Sequence, residues 1–571
     1  MEKFNVMDLF AGAGGLSNGF EQTGRFKVKV AVEINEYARQ TYEINHDGVT
    51  LHKDITKLKY RNDYGEKNTE FRDIDIIIGG PPCQGFSNAN RQQNTLISSN
   101  NQLVKEYIRA IEEIRPKAFV MENVKTLESD KHMFFLREDN ESELEKLGIV
   151  AKEEKINIGS ITIYTERLVN FLLEAYQNKR NLKPFIIKNE LISKLNSLLR
   201  QVKKHRSEDL ISFLEKESNR KFFINSPNIK WKWNDVHADY WDPEYQLEWL
   251  ELGNILNHSI TERQADLTEL ISLLERIIET QKIINKIYEV IINNVKIFGF
   301  EINDADLVIK IKTFNVFTYI KRKLLDLGYV INQDDYIFNA AQYGVPQERK
   351  RLILMGVLKE HLKGEAIQVP KPLFSHKNQF FKIYDAIGDL EGITPNTDVK
   401  DDELDRASYP PILDSTLNMY LNNNGDSKLF NHVMTASREE ALKRFRALKE
   451  GQNFHDLEDS LKSTYTDYTR TQNTIYKRLA YSETSDTVVN VRKSMWIHPT
   501  KDRAISIREA ARLQSFQDSY RFFGTKDSQY QQVGNAVPPL LARFIAEGLL
   551  KSLGEELDNN TGDFLISKEN A

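Results

Sequence analysis

Short apolar runs separated by polar or glycine-rich segments organise the first part of the chain. Runs of about four to eight apolar residues bounded by turn signals are typical of buried strands. Helical sequence from Leu16 to Gln22 follows the first such run after a glycine-rich turn. This order of strand, glycine turn and helix predicts a Rossmann-like α/β fold. The predicted strands are residues 4–10, 27–32, 74–78 and 118–121.

The middle of the chain, residues 130–312, has a different pattern and is predicted to be mostly helical. From Leu267 to Val295 apolar residues recur at alternating spacings of three and four, with one polar interruption at Gln281. This heptad stripe predicts a long helix that packs on a partner helix. The candidate partner is Glu190–Val202, and pairing within one chain is favoured over dimerisation through the stripe.

Two local compositions in this middle region leave alternatives open. Residues 179–206 contain nine Lys or Arg and one acidic residue, Glu190. Such a run could follow a phosphate backbone, or it could be a solvated helix face. Four of the five tryptophans, Trp231, Trp233, Trp241 and Trp249, lie close together. They predict a compact aromatic core, with base stacking as the alternative.

Bulk properties limit the possible classes of protein. A chain of 571 residues is long enough for about three to four domains. The formal net charge of -5 argues against a cationic nucleic-acid coat over the whole surface. The sequence contains no apolar run of about 18 residues, as a membrane span requires, and no signal-peptide pattern. Together with a single cysteine, these features predict a cytoplasmic protein.

The single cysteine, Cys83, is the first candidate catalytic residue. It follows the predicted strand at 74–78 within Gly79-Gly80-Pro81-Pro82-Cys83-Gln84-Gly85-Phe86-Ser87. The thiol would therefore lie on a loop at the carboxyl end of a strand, where open α/β sheets bind their ligands. Two prolines stiffen that loop. The alternative is a buried structural cysteine. The sequence has no metal-ligand spacing, and the isolated histidines His432 and His498 are predicted to be structural.

A second candidate site is formed by the glycine turn and two acidic residues. The turn Ala11–Gly15 follows the first strand, Glu33 ends the second, and Asp54 follows a third short apolar stretch. Glu33 could bind two ribose hydroxyls, and Asp54 could accept from an adenine amino group. The aromatic Phe10 ahead of the glycines favours a nucleoside cofactor without phosphate over a dinucleotide.

Six ordered blocks make the chain resemble the DNA (cytosine-5) methyltransferases, in particular those of bacterial restriction-modification systems. The resemblance covers roughly residues 1–130 and 320–552, and it is specific because the blocks occur in the family's order around a lone Pro-Cys. The blocks are Asp8–Gly15, Gly80–Ser87, Glu122-Asn123-Val124, Gln347–Arg351, Arg508–Phe516 and Gln532–Pro539.

The resemblance implies a reaction and a set of residues. The enzyme would transfer a methyl group from S-adenosyl-L-methionine to carbon-5 of a cytosine flipped out of double-stranded DNA. Cys83 would add to carbon-6, Glu122 would act at ring N3, and Arg351 would contact the base, with Arg349 more structural or facing phosphate. Pro82, Gln84 and Ser87 would lie near the base or the DNA. The implied cofactor-binding residues are Phe10, Gly12, Gly14, Gly15, Leu16, Glu33, Ile34, Asp54, Ile55, Gly80, Asn535 and Ala536.

The resemblance also implies an organisation of the chain. A loop-rich region in the second half carries the target-recognition domain in this family, and the polar stretch 465–473 has side chains that can read base edges. The large interval between Glu122 and Gln347 departs from the family pattern and is interpreted as an insertion; Gln517, where proline is common, is a minor departure. The predicted segments are a catalytic lobe at 1–128, 313–360 and 501–555, an inserted helical module at 129–312, a recognition region at 361–500 and a flexible tail at 556–571.

Two other functions stay open at this point. One is a transfer-RNA cytosine-5 methyltransferase of the same fold, and the other is a catalytically silent DNA-binding paralogue. The long recognition interval favours DNA, and the presence of Cys83, Glu122 and Arg351 favours an active enzyme. The expected partners are double-stranded DNA and a cognate restriction endonuclease as genetic partner, with a monomer favoured over a dimer formed through the insertion.

Overall fold

The chain forms two compact units. The computed structural model describes residues 3–566 apart from 83–98, 131, 161–164, 205–206, 218, 220–222, 224–238, 262–266, 305, 334–335, 401–402, 406–413, 423–427, 463–470 and 558–559. Unit 1 contains the described parts of Met1–Cys83, Asn100–Leu127 and Ile320–Ala571. Unit 2 contains those of Gln84–Ser99 and Glu128–Tyr319, compared with the predicted insertion at 129–312. In this described portion, no helix combines the length and apolarity needed to cross a membrane.

The amino-terminal part of unit 1 is a parallel α/β layer. Each of its five strands pairs in parallel with its neighbours, in the order β3-β2-β1-β4-β5. The strands are β1 (Phe4–Leu9), β2 (Phe26–Val32), β3 (Thr50–His52), β4 (Ile76–Gly79) and β5 (Ala118–Val124). The helices are α1 (Gly15–Glu21), α2 (Glu36–Asn45) and α3 (Ser99–Ile114). The predicted α/β fold with a parallel sheet is confirmed.

Unit 2 combines helices with an antiparallel sheet that the sequence analysis did not predict. The sheet consists of β6 (Met133–Phe135), β7 (Lys152–Ser160), β8 (Ile297–Asn303) and β9 (Asp306–Asn315), and β9 pairs with each of the other three. The helices are α4 (Glu141–Lys146), α5 (Thr165–Gln177), α6 (Asn189–Lys204), α7 (Ser207–Glu215), α8 (Pro243–Thr261) and α9 (Leu267–Ile292). β7 begins with four consecutive charged residues, Lys152–Lys155, and β6 has only three residues, so neither has the apolar run or the regular alternation that predicts a strand.

The predicted heptad stripe lies on α9, and its partner within the chain is α6. The polar interruption, Gln281, is fully buried and has hydrogen-bond partners for its whole amide. Its oxygen accepts from the Ile187 amide at 3.0 Å, and its nitrogen donates to the Phe185 carbonyl at 3.1 Å and the Tyr245 hydroxyl at 2.9 Å. Of the four clustered tryptophans, Trp249 is buried in this core, whereas Trp231 and Trp233 lie outside the described residues.

The carboxyl-terminal part of the chain completes unit 1. Strands β10 (Tyr329–Ile331), β11 (Ile337–Asn339) and β12 (Lys350–Leu358) extend the sheet, with β12 antiparallel to β5, while β13 (Leu404–Asp405) and β14 (Lys428–Leu429) pair separately. The helices are α10 (Val316–Asp326), which begins in unit 2, α11 (Ile383–Ile387), α12 (Thr416–Leu421), α13 (Glu439–Ala447), α14 (Asp459–Lys462), α15 (Val491–Ser494), α16 (Ile507–Leu513), α17 (Lys526–Asn535), α18 (Pro539–Leu553) and α19 (Thr561–Ile566).

Segments that are far apart in the sequence meet where α18 packs on α1. A Cβ built on Gly19 would overlap the Pro539 carbonyl and the Ala542 side chain, so only glycine permits this close approach. Both helices also contribute buried residues to the main hydrophobic core of unit 1. The residues after α16 are thereby held beside the amino-terminal strands.

The strand order places a switch point between β1 and β4. From β1 the chain continues outward to β2 and β3, whereas β4 continues to β5 on the other side. Connections that leave in opposite directions open a crevice at the carboxyl ends of the two central strands, and ligands of open α/β sheets bind in such crevices. The glycine turn follows β1, and the loop that leads to Cys83 follows β4.

Both isolated histidines of the second half are buried, as expected for structural residues. His432 donates from Nε2 to the Ile393 carbonyl at 3.1 Å and accepts at Nδ1 from the Ser506 hydroxyl at 3.0 Å. His498 lies 3.7 Å from the Glu509 carboxylate. Burial lowers the pKa of each ring to about 4, although Glu509 opposes the shift. Both rings are therefore neutral at neutral pH.

These low pKa values predict a pH-dependent stability. Unfolded rings take up protons near the ordinary pKa of 6.5, whereas the folded rings do so only near 4. Between these values the unfolded state binds more protons, so the contribution of each ring is lost as the pH falls. We expect His432→Gln, which keeps a donor for Ile393, to flatten the fall in the free energy of unfolding by about 1.4 kcal/mol per pH unit. Urea unfolding at several pH values measures this slope, and a slope equal to that of the wild type would contradict the neutral ring.

Candidate active site

The glycine turn after β1 has an unusual backbone. Phe10, Gly12 and Gly14 have φ values of 61°, 56° and 84°, all in the left-handed region. For a phenylalanine this conformation is costly, so the surroundings must hold it. The Ala11 amide donates to the Val32 carbonyl at 3.0 Å, and the Gly14 amide donates to the Ala11 carbonyl at 2.9 Å.

The glycines of the turn have different roles. A Cβ built on Gly12 meets no atom within 4 Å, so this residue faces open space at the crevice. A Cβ on Gly14 would lie 2.5 Å from both the His46 ring and the Tyr520 hydroxyl, and one on Gly15 would overlap the Val537 carbonyl. Gly12 therefore leaves room for a ligand, whereas Gly14 and Gly15 allow close packing of the protein itself.

The two predicted acidic ligands lie at successive strand ends. One oxygen of Glu33 accepts from the Gly12 amide at 2.9 Å and the other accepts from the Asn35 amide at 2.7 Å. Asp54 accepts from the amide and the hydroxyl of Thr56 at 3.0 and 2.7 Å, and these bonds lower the pKa of its carboxyl. Both carboxylates are only partly buried, so each keeps acceptor capacity for a ligand.

The remaining predicted cofactor residues divide by exposure. Ile34 lies next to Glu33 in the connection between β2 and α2, and it is 70% exposed. Asn535 is also exposed and accepts from Gln531 at 2.8 Å. Leu16, Ile55 and Ala536 are buried. Exposed Ile34 and Asn535 can contact a ligand with their side chains, whereas the three buried residues can offer mainly backbone.

The first residues of the loop after β4, Gly80–Pro82, are held against β5. The Asn123 side chain donates to the Pro81 carbonyl at 2.8 Å. A Cβ built on Gly80 would lie 2.8 Å from the Glu122 carboxylate oxygen Oε2, so glycine is needed for this approach. Pro82 is exposed. Cys83, Gln84 and Ser87, as well as most of the polar stretch 465–473, lie outside the described residues.

Glu122 and Arg351 form an ion pair on one face of the sheet. In the antiparallel pairing of β5 and β12, Arg351 is opposite Val124 and Glu122 is opposite Ile353, which makes the two charged residues diagonal neighbours. Arg351 Nε lies 2.8 Å from Glu122 Oε1. Burial nevertheless raises the pKa of the Glu122 carboxyl above its ordinary value, and the positive charges of Arg351 and Arg349 only reduce that shift. This is the behaviour required of an acid that must keep a proton.

Arg349, two residues before Arg351, has a different environment. It is 1% exposed, and its guanidinium donates to the Val488 and Gly534 carbonyls at 3.0 Å each. Burial, with the neighbouring Arg351 charge, lowers its pKa to about 9. These bonds tie the start of β12 to the region before α15 and to α17, in keeping with the structural alternative that the sequence left open for this residue.

Sequence reasoning missed a polar network beneath the glycine turn. Asp8 accepts from Ser17 and Tyr42, and Tyr42 stacks on His46 with ring centroids 4.2 Å apart. The Tyr520 hydroxyl, from the far end of the chain, donates to the Ala13 carbonyl. Asp8 stood in a recognised block, but no spacing pattern connects residues 42, 46 and 520, because only the fold brings them together.

Comparison with known proteins identifies the family. The family model described as C-5 cytosine-specific DNA methylase matches residues 4–296 and 280–551, which together are nearly the whole chain. The chain belongs to this family. It is therefore a DNA (cytosine-5)-methyltransferase, and use of S-adenosyl-L-methionine follows in general from the family and the fold.

Curated relatives align over almost the full chain. Type II methyltransferase M.XorII of Xanthomonas oryzae is 25% identical over 564 residues, which are 96% of this chain and 84% of the relative. M.DdeI of Desulfomicrobium norvegicum is 25% identical, with coverage of 95% and 88%. M1.HphI of Haemophilus parahaemolyticus is 24% identical, with coverage of 95% and 86%. The alignments thus include the middle region as well as the six blocks.

The contrasting environments of the two arginines predict contrasting effects of the same substitution. We expect Arg349→Lys to lower the free energy of unfolding by about 2–3 kcal/mol, because an ammonium cannot serve both buried carbonyls. Arg351→Lys keeps a positive charge beside Glu122 and should change stability by less than about 1 kcal/mol while lowering the methylation rate. Denaturant unfolding of both variants measures the two free energies of unfolding. Equal losses of stability would contradict the structural role of Arg349.

Proposed function

We propose that this methyltransferase modifies carbon-5 of a cytosine within a specific double-stranded DNA sequence, as the self-protecting component of a restriction-modification system. The observation that carries the proposal is the Glu122 carboxyl, whose pKa is raised by burial and which lies against Gly80 of the loop leading to Cys83. The type II relatives support the biological setting. A bacterial cytoplasmic location and a cognate endonuclease as genetic partner are parts of this proposal.

S-adenosyl-L-methionine fits the crevice at the end of β1 and β2. The free space over Gly12 leaves room for its methionine part, Glu33 can accept from the ribose hydroxyls, and Asp54 can accept from the adenine amino group. The apolar surface of Ile34 suits a flat purine. The cofactor supplies an electrophilic methyl group on a sulfonium, and the residues named here bind and orient it.

The chemistry assigned to Cys83 overcomes the low nucleophilicity of carbon-5. The thiolate sulfur forms a bond to carbon-6, and the displaced electron pair makes carbon-5 nucleophilic. Carbon-5 would then take the methyl group of the bound cofactor, with S-adenosyl-L-homocysteine as the leaving group. Loss of the carbon-5 proton to a base, together with cleavage of the sulfur–carbon bond, restores the aromatic ring and the thiolate, so that atoms and charge balance.

Glu122 is assigned the acid role at ring N3. Its Oε1 is fixed by Arg351, and its Oε2 lies near Gly80, three residues before Cys83 in the sequence. A protonated carboxyl at N3 neutralises the negative charge that thiolate addition places on the ring. Arg351 orients this carboxyl and offers further donors to the base, whereas Arg349 acts as a structural residue.

Double-stranded DNA is favoured over transfer RNA as substrate. The target carbon is unreachable inside a duplex, so the reaction requires extrusion of the base. The long region 361–500 is proposed to read the sequence around that base, and Pro82, Gln84 and Ser87 to contact the base or the backbone. The basic stretch 179–206 of unit 2 is a further proposed phosphate contact, although two of its lysines, Lys179 and Lys203, form ion pairs with Glu138 and Glu275.

We expect Cys83→Ser to abolish methyl transfer to DNA, because a hydroxyl does not ionise enough to add to carbon-6. Binding of S-adenosyl-L-methionine should survive, since the thiol is not a cofactor ligand. Transfer of tritiated methyl groups and calorimetric titration measure the two properties. A duplex with 5-fluorocytosine at the target should form a denaturant-stable adduct with the wild type only.

The same assays separate the alternatives. Methylation of transfer RNA but not DNA would favour the RNA enzyme, and DNA binding without any transfer would favour the silent paralogue. Methyl transfer by Cys83→Ser at the wild-type rate would reject the covalent mechanism. Bisulfite sequencing of DNA from cells that express the wild type would show which cytosine is modified.

We expect Glu122→Gln to lower the rate of methyl transfer by about 10²- to 10⁴-fold, because the amide cannot deliver a proton to N3. In the wild type the acid must be protonated, so deprotonation of Glu122 at rising pH should reduce the rate. This decline with rising pH should be absent from the variant. Rates at saturating substrate across a pH series test both points, and a variant with the wild-type rate would exclude Glu122 as the acid.

A further inference from the structure

A chain of hydrogen bonds runs from the glycine turn to the carboxyl-terminal part of the protein. The Ala13 carbonyl lies between Gly12 and Gly14 and can only accept, so the Tyr520 hydroxyl donates its proton to it. The Tyr520 oxygen also lies 3.2 Å from His46 Nε2. His46 Nδ1 in turn lies 2.6 Å from the Glu21 carboxylate.

The members of this chain are rigidly packed. Tyr520 and His46 are 3% and 2% exposed. The Tyr520 ring lies among the aromatic rings of Phe516 and Phe522, with centroid distances of 4.9 and 5.6 Å. Tyr42 stacks on the other ring, His46. Little freedom is left for the Tyr520 hydroxyl to move away from the turn.

The glycine turn depends on such support from outside. Phe10 is the one non-glycine residue of the turn in the left-handed region, where a phenylalanine is strained, so side-chain contacts such as that of Glu33 with the Gly12 amide add to the two backbone hydrogen bonds. Gly14 lacks a side chain at the point where His46 and Tyr520 approach it. His46 and Tyr520 can therefore approach the turn only because residue 14 is a glycine.

We propose that Tyr520 is a positioning residue for S-adenosyl-L-methionine, which fixes the Ala13 carbonyl and thereby the turn that receives the cofactor. His46 and Glu21 orient the Tyr520 hydroxyl. The proposal rests on the cofactor site proposed above and adds a residue from beyond the recognition region to it. Cofactor affinity then depends on the segment between α16 and α17, which contains none of the predicted cofactor-binding residues.

The test compares two tyrosines that make the same type of bond. Tyr329 is also buried, and its hydroxyl donates to the Pro116 carbonyl at 2.8 Å, away from the turn. We expect Tyr520→Phe to weaken binding of S-adenosyl-L-methionine and S-adenosyl-L-homocysteine by about tenfold, as loss of one buried hydrogen bond at the site predicts. Tyr329→Phe should bind both as the wild type does. Calorimetric titration of the intact protein without DNA measures these affinities.

Kinetics and a conservative rescue distinguish positioning from general stability. Tyr520→Phe should raise the KM for S-adenosyl-L-methionine by about tenfold while kcat and the KM for DNA change by less than about twofold. His46→Ala should weaken cofactor binding, and His46→Gln, whose amide can still donate to Tyr520, should restore most of the affinity. These two variants also provide the test if Tyr520→Phe does not fold.

The outcomes separate the two proposals. Wild-type affinity in Tyr520→Phe, or equal weakening in Tyr329→Phe, would overturn the positioning role and leave the cofactor site intact. Failure of His46→Gln to improve on His46→Ala would also overturn it. Absence of any binding by the wild-type protein would instead reject the proposed cofactor site itself.

Discussion

The close contact of β1 and β4 at their carboxyl ends is the constraint on which the whole site depends. Leu9 and Gly79 are opposite each other in the parallel pairing, and a Cβ on Gly79 would overlap the Leu9 carbonyl. A side chain here would separate the strand that leads to the glycine turn from the strand that leads to Cys83. Because the connections that follow β1 and β4 lead to opposite sides of the sheet, the crevice between the two loops stays accessible to ligands.

Burial gives two arginines of one short motif different tasks. Arg349 is enclosed and satisfies two backbone carbonyls from distant parts of the chain, so its charge serves to hold the structure. Arg351, the second residue of β12, is partly buried and pairs with Glu122. The pair leaves the Glu122 carboxyl with a raised pKa because the desolvation of the acid exceeds the attraction of the guanidinium. The result is a carboxyl that Arg351 orients and whose pKa is raised above the ordinary value.

The carboxyl-terminal part of the chain packs against the glycine turn and α1. Gly15 and Gly19 allow Val537 and α18 to approach α1 without a gap, and the Tyr520 hydroxyl bonds to the turn itself. The amino-terminal strands therefore lead to the residues at the crevice, whereas residues more than 500 positions later contact the turn and the helix that follow β1. Unit 2 has its own buried core, in which the single polar residue of the α9 stripe, Gln281, is fully paired.

The parallel sheet and the candidate site residues at its strand ends could be predicted from the sequence, because strong local sequence signals mark them. The strand–glycine–helix start, the Pro-Cys loop and the acid at the end of β5 each depend on neighbouring residues, so their order along the chain predicts the parallel sheet and the positions of Gly12, Glu33 and Glu122. The sheet of unit 2 escaped prediction because β7 begins with four consecutive charged residues and β6 has only three residues, so the strand signal is weak in a region rich in helices.

Only the tertiary structure decided which groups meet. The diagonal pairing of Glu122 with Arg351 requires the register of β5 and β12, which are separated by more than 200 residues. The contact of Tyr520 and His46 with the glycine turn requires the return of α18 to α1. Local pattern determines what each segment forms and which residues carry reactive groups, whereas burial, register and long-range contact determine their pKa values and partners, since these depend on distances in space that no local spacing encodes.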